Sequence, residues 1–259
     1  MNKTKNLKVI NNNQISEEYF LMKIDGGSCL DKIKPGQFLH IKVQNDESVD
    51  PLLRRPLSIH DINYKNNSIS LLYRLVGRGT RKLSKYKPED LLNILGPLGN
   101  GFNTNFTNKN ILVIGGGMGI APLYLLTKSL VRNNSIMVLL GGNSSDDMNY
   151  FNNCFGNLNI KLKIATMDGS LGFSGTVIDM WNNVNNEIDF IYSCGPKPML
   201  KEVQKKTNRL NISGEVSLEE RMGCGIGVCL SCTCSTEKGN QRVCQEGPVF
   251  PINEVVFDG

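Results

Sequence analysis

Five of the eight cysteines of this 259-residue chain crowd into one short stretch near its end. Cys224, Cys229 and Cys232 form a C-x4-C-x2-C run, and Cys244 follows after eleven intervening residues. Four thiolates at this spacing suit a plant-type 2Fe-2S centre, in which each of two irons takes two sulfur ligands. Gly223, Gly225 and Gly227 let the loop curl tightly and bring backbone N–H groups toward the sulfurs. The same thiols admit a second reading, a structural zinc held by Cys229, Cys232, Cys244 and either Cys224 or Cys234. The four-residue interval with its glycines argues against zinc, and Cys234 is then a buried bystander or a substitute ligand. From Glu219 onward the chain has little periodicity and is too short to bury a core alone, so a metal centre is needed to hold it.

A chain of this length suits two domains plus a small appendage. Its apolar share of 40% and charged share of 20% are globular values. No stretch approaches the ~18 uncharged apolar residues of a membrane-spanning helix, and Met1 leads into Asn2, Lys3, Thr4 and Lys5 without the apolar core of a secretory signal. The expectation is a soluble, cytoplasmic protein with no membrane partner. A net charge of +5 from scattered lysines forms no stripe, which speaks against a nucleic-acid partner. In such a compartment the thiols are ligands or inert groups rather than disulfides; Cys29, Cys154 and Cys194 stand alone.

From Leu7 to Leu95 short β-rich runs recur: Tyr19 to Ile24, Gln37 to Val43, Leu57 to Ile62 and Ile69 to Val76. Turn formers such as Asp25-Gly26-Gly27, Pro35-Gly36 and Asn66-Asn67 separate them, predicting a six-stranded antiparallel barrel. Only Thr80 to Tyr86 looks helical. Gly96-Pro97-Leu98-Gly99-Asn100-Gly101-Phe102 breaks any regular element and marks a boundary. Beyond it, apolar runs at Ile111 to Ile114, Ile136 to Leu140, Ile160 to Ala165 and Ile188 to Tyr192 alternate with helical windows near Ala121 to Val131, Gly175 to Trp181 and Pro198 to Leu210. That alternation predicts a parallel sheet with crossover helices. The expected division is a barrel domain over 1–103, an α/β nucleotide-binding domain over 104–218 and a cluster-binding module over 219–259.

Three barrel segments point to a bound dinucleotide. Arg54 and Arg55, Pro56, Leu57 and Ser58 open a strand where a guanidinium fork and a hydroxyl can meet phosphate oxygens. Leu72, Tyr73 and Arg74 offer an aromatic face on an alternating strand. Gly77-Arg78-Gly79-Thr80 turns into a helix start where Gly79 and Thr80 can present backbone N–H groups to an anion. In the second domain, Gly115, Gly116, Gly117, Met118 and Gly119 follow a strand and open a helix, with Pro122 tolerated in its first turn. Cys194, Gly195 and Pro196 close another strand, at the edge where α/β sheets bind ligands. After Leu140 come Gly141 to Asp147 with no Arg or Lys, which favours NADH over NADPH. His40 and His60 lie in predicted strands without catalytic company and are expected to be structural. No Ser-His-Asp or paired-carboxylate constellation appears, so no acid, base or nucleophile is expected.

The order barrel, Arg55-Pro-Leu-Ser58, Gly79-Thr80, Gly96-Pro-Leu-Gly-Asn-Gly-Phe102, Gly115-Gly-Gly-Met-Gly119, Cys194-Gly-Pro196 and cysteine tail resembles the ferredoxin-NADP reductase superfamily. Within it, Glu220-Arg-Met-Gly-Cys-Gly-Ile-Gly-Val-Cys-Leu-Ser-Cys-Thr-Cys234 and Val243-Cys-Gln-Glu-Gly-Pro-Val-Phe250 are similar to the electron-transfer subunits of dihydroorotate dehydrogenase B. Related subunits of anaerobic sulfite reductases and hydrogenases have Gly-His-Cys where this chain has Leu230-Ser231-Cys232, and bifurcating-complex subunits often have Asp in place of Cys224. The Gln245-Glu246 pair departs from the Asp or Thr-Asp of the pattern.

The resemblance implies an NAD-linked oxidoreductase component that moves electrons among NAD(H), FAD and a 2Fe-2S cluster. It assigns Cys224, Cys229, Cys232 and Cys244 to the cluster, and Arg55 to Ser58, Leu72 to Arg74, and Gly79 with Thr80 to FAD. It implies a catalytic partner carrying FMN that oxidises dihydroorotate to orotate in pyrimidine biosynthesis, assembled as a heterotetramer of two of each subunit. The alternatives are an NADH-dependent reductase subunit serving a sulfite reductase, hydrogenase or bifurcating complex, and a zinc-stapled binding module without enzymatic activity.

Overall fold

The computed structural model describes residues 4–28, 30–43, 50–184 and 187–257; Met1 to Lys3 and Cys29 lie outside them. Six strands form the first layer: β1 (Thr4–Gln14), β2 (Tyr19–Asp25), β3 (Phe38–Ile41), β4 (Arg55–Asn63), β5 (Ser68–Arg74) and β6 (Leu91–Leu98). They close an antiparallel barrel in the order β1-β2-β5-β4-β3-β6. Alternation decides which side chains fill it. Leu7 and Val9, Met22 and Ile24, Leu39 and Ile41, Leu71 and Tyr73, and Leu92 and Ile94 point inward to one core.

Gly96 and Pro97 do not end β6, contrary to expectation. The strand continues to Leu98 because the β3 ladder jumps from His40↔Leu95 to Phe38↔Leu98, a bulge that absorbs one extra residue where Pro97 has no N–H to give. The helix α1 (Arg78–Leu83) follows β5 and begins before the predicted Thr80.

The second layer starts at β7 (Asn110–Gly116) and continues through α2 (Ala121–Leu130), β8 (Ser135–Gly142), α3 (Ser145–Gly156), β9 (Lys161–Thr166), β10 (Phe173–Ser174), α4 (Val177–Asn182), β11 (Phe190–Cys194), α5 (Lys197–Leu210) and β12 (Ser213–Ser217). The last segment carries the hairpin β13 (Thr233–Thr236) and β14 (Gly239–Arg242), then β15 (Val249–Pro251). The sheet order is β10-β9-β8-β7-β11-β12-β15, parallel except that β15 runs antiparallel to β12. The cysteine-rich segment is therefore more than an appendage held by metal. Its Val243, Phe250, Ile252 and Val255 join the same core as Leu112, Trp181 and Val216.

His60 on β4 fastens barrel to α/β domain. It is 1% exposed; its Nδ1 is 2.8 Å from the Ala121 carbonyl oxygen and its Nε2 2.9 Å from the Tyr150 hydroxyl. The ring also stacks on Tyr124, and Lys128 of α2 pairs with Asp61. The expectation of a structural histidine holds here, because both nitrogens are satisfied. Replacing His60 by Leu leaves buried partners unsatisfied and is expected to cost about 1–3 kcal/mol, read as a lower urea midpoint; an unchanged midpoint contradicts this assignment.

Candidate cofactor sites

The four thiols of the C-x4-C-x2-C…C pattern fall into two pairs. The Cys224 N–H donates to Cys229 Sγ at 3.4 Å, and the Cys244 N–H to Cys232 Sγ at 3.4 Å. Among the described residues no three His, Cys, Asp or Glu side chains converge as they would around one ion. Two pairs suit a binuclear centre, in which each iron takes two thiolates. The loop also supplies donors. Cys224 Sγ accepts N–H bonds from Ile226, Val228 and Cys229 at 3.3–3.4 Å, and Cys244 Sγ accepts one from Gly227 at 3.1 Å. Backbone dipoles aimed at sulfur suit an anionic cluster, so the donor set fits a 2Fe-2S group.

Two positive φ values, +72° at Gly225 and +79° at Gly227, make the curl. Arg242 then locks it by donating from Nη1 to the Gly227 carbonyl at 2.7 Å, while Glu246 grips the guanidinium. The Gln245-Glu246 departure from the family pattern thus gives Arg242 its counter-ion. Cys229 is exposed, and hydrogen bonds from Ser231 first, then from the Cys224 N–H, bring its thiol down to about 6. Cys234 sits on β13 outside this set of donors, and burial pushes its thiol up to about 11.

A cavity of about 310 Å³ lies between barrel and α/β domain, and its walls include Arg55, Pro56, Leu57, Ser58, Leu72, Tyr73, Arg74 and Thr80. Segments far apart in sequence meet there because β4 and β5 are adjacent in the barrel. Three details differ from the sequence reading. The Tyr73 ring is turned into the barrel, where its hydroxyl donates to Asn12 at 2.9 Å and its ring stacks on Phe20; residues 71 and 73 share the inward face of β5, so no aromatic face is offered. Thr80 uses its hydroxyl to accept from the Val76 and Gly77 N–H groups, closing a helix cap. Arg54 spends its guanidinium on the His40 and Asn93 carbonyls of the barrel. Arg55 stays on the cavity wall, its Nη1 donating to the Leu53 and Arg54 carbonyls, and lies directly over Gly79, where a Cβ would collide with its guanidinium. An arginine, a serine hydroxyl and an apolar wall between two domains suit a flavin dinucleotide.

A second cavity of about 620 Å³ opens at the carboxyl ends of β7, β8 and β11, with Gly116, Gly117, Gly119, Gly195 and Pro196 on its wall. A single 3-10 turn, Gly117–Ile120, separates β7 from α2. The glycines do more than admit phosphate. A Cβ on Gly119 would lie 2.5 Å from Gly195, and one on Gly116 would lie 2.7 Å from Met199 Sδ, so the two strand-end loops interlock. Gly117 alone of this run, with φ +54°, faces open space. Gly115 and Cys194 stand behind the wall. Cys194 is 1% exposed, and burial raises its thiol well above the usual range. Asn143 and Asp147 line the rim, and the Asp147 carboxylate accepts from the Asn143 N–H at 3.2 Å. A carboxylate there disfavours a 2′-phosphate.

Arg74, Val76, Met118, Leu218 and Glu219 belong to both walls, and Met222, two residues before Cys224, belongs to the first. Sequence pattern singled out Glu220, at the head of the cysteine motif, but not the shared wall at Glu219.

Comparisons with known proteins agree with this fold. Residues 219–256 match the iron-sulfur cluster binding domain of dihydroorotate dehydrogenase B. The dihydroorotate dehydrogenase B (NAD(+)) electron transfer subunit of Bacillus cereus strain G9842 is 36% identical, covering 99% of this chain and 100% of the relative. The chain belongs to the family of dihydroorotate dehydrogenase B electron transfer subunits. The member from Shouchella clausii is 37% identical over 97% of both chains. An NADH-dependent reduced ferredoxin-NADP oxidoreductase superposes with a TM-score of 0.84 at 28% identity, covering 100% of this chain and 92% of that one. A ferredoxin NADP+ reductase from Neisseria gonorrhoeae, 14% identical with a TM-score of 0.66 over 85% of this chain and 95% of its own, shares the fold.

Proposed function

We propose that this chain carries electrons between NAD(H) and a catalytic partner subunit, through FAD at the barrel and a 2Fe-2S cluster at the C-terminal loop. One observation carries the reading: the nicotinamide-type cavity and the flavin-type cavity share a wall, and the flavin-type cavity ends two residues from the first cysteine of the cluster loop. In this scheme 1–103 holds FAD, 104–218 the nicotinamide nucleotide and 219–259 the cluster.

The residues divide the work. Arg55 and Ser58 hold the FAD phosphates, with Pro56, Leu57, Leu72, Tyr73 and Arg74 forming the wall and Gly79 and Thr80 setting the turn beneath Arg55. Gly115, Gly116, Gly117 and Gly119, with Cys194, Gly195 and Pro196, shape the nicotinamide nucleotide site. Cys224 and Cys229 ligate one iron, Cys232 and Cys244 the other. FAD held at the barrel would supply the conversion between two-electron hydride transfer and one-electron transfer. The protein contributes orientation, water exclusion and backbone donors, and no acid or base.

An electron transfer subunit serves a catalytic partner. The partner proposed here is an FMN-containing subunit that oxidises dihydroorotate to orotate, in a cytoplasmic heterotetramer of two of each. Around the exposed Cys229, Ile226, Val228 and Leu230 are 47%, 75% and 62% exposed, an apolar fringe of the sort that interfaces cover. Among the described residues no helix is long and apolar enough to cross a membrane. A second reading, an NADH-dependent reductase subunit of a bifurcating complex, draws on the 28% identical oxidoreductase; copurification with a dihydroorotate-oxidising subunit separates the two.

The purified chain is expected to hold one FAD and two irons by ligand count, and Cys229→Ser to lose the iron spectrum while keeping flavin. Zinc in the wild-type protein, or flavin lost together with iron, contradicts the scheme.

A further inference from the structure

His40 is the one described side chain whose two ring nitrogens are both buried without a hydrogen-bond partner. It is 0% exposed. The backbones of Cys224 and Arg54 approach the ring closely enough to favour its protonated form, yet neither meets hydrogen-bond geometry with a ring nitrogen. A buried polar group left unpaired forfeits its hydration with nothing in exchange, so each such group in a folded protein requires an explanation. The contrast with His60, which has a partner at each nitrogen, shows that this chain satisfies a buried imidazole where nothing further is asked of it.

Its location says what is asked. In β3, Leu39 and Ile41 point into the barrel core. Phe38 and His40 therefore share the opposite face, and Phe38 is on the flavin-cavity wall. The His40 ring faces the cluster loop: a Cβ on Gly225 would lie 2.5 Å from His40 Nδ1. Gly225 is required there twice, for its φ of +72° and for the space its missing side chain leaves to the imidazole. The backbone N–H groups of the loop are directed at sulfur, so they do not satisfy the ring.

We propose that His40 is a positioning residue of the electron path, donating an imidazole N–H to a sulfur acceptor of the iron-sulfur centre at the Cys224 side of the loop. This rests on the reading of the four thiols as ligands of a 2Fe-2S cluster. A donor to cluster sulfur favours the reduced, more negative state and raises the reduction potential. Because the strand carrying His40 pairs with the one carrying Arg55 to Ser58, the same residue ties the height of the cluster to the flavin's own strand.

The test uses the full-length holoprotein with histidine labelled with 15N. Pulsed EPR of the reduced cluster is expected to show a histidine nitrogen hyperfine coupling, lost in His40→Gln and kept in His60→Gln. An EPR-monitored redox titration of His40→Leu is expected to show about a tenfold weaker reduction equilibrium for the cluster, about 59 mV for a one-electron couple. The flavin potential should not move, and His40→Gln, which keeps a donor, should recover most of the shift. A wild-type cluster signal without histidine coupling overturns the proposal while leaving the cluster assignment standing, and so does an unshifted potential in an iron-replete His40→Leu. If His40→Leu does not fold, the labelling result on wild type decides alone. The absence of any 2Fe-2S signal in wild type overturns both.

Discussion

Backbone N–H groups aimed at four cysteine sulfurs are the interaction on which this structure turns. The curl of residues 224–229 is costly for a polypeptide, since it uses left-handed φ values at Gly225 and Gly227 and presents donors inward rather than to water. It is worthwhile only if something anionic fills the centre. Arg242 and Glu246 brace the curl from outside, and β15 fixes its far end into the sheet of the α/β domain. A sheet strand and a ligand loop in the same short segment hold the loop at a defined distance from the cavities.

The barrel and the α/β domain are arranged around that point. β4 and β5 bring Arg55 and Arg74 to one cavity, and the interlocked glycines 116, 119 and 195 keep the ends of β7 and β11 in contact at the other. Leu218 and Glu219, at the exit of β12, form the partition between the two cavities and lead directly into the cysteine loop. The first cavity thus lies between the second and the cysteine loop, although the barrel that lines it comes first in the sequence.

Much of this was legible from residue pattern. Gly and Asn turns delimited the barrel strands, and apolar runs marked the parallel ones, because both signals are local. What escaped were elements whose reasons are tertiary. The helix α3 hides behind Asn149, Asn152 and Asn153, residues of low helix propensity, although Met148, Phe151 and Phe155 keep a helical stripe that is buried. The strand β12 contains Gly214, whose Cβ would meet the Ile191 carbonyl of β11 at 2.6 Å, so a close strand neighbour, not propensity, selects it. The inward turn of Tyr73 and the capping role of Thr80 were likewise hidden, since motif position does not reveal which face a side chain takes. His40 read as an ordinary strand histidine until its unsatisfied ring was seen against Gly225.

The central claim is that electrons pass from nicotinamide through flavin to the cluster within this single chain. Anaerobic titration of the purified protein with NADH, followed by optical and EPR spectroscopy together, tests it directly. The account requires the flavin band to bleach and a reduced 2Fe-2S EPR signal to grow in step with added NADH. A flavin that bleaches fully while an iron-replete cluster stays oxidised contradicts it.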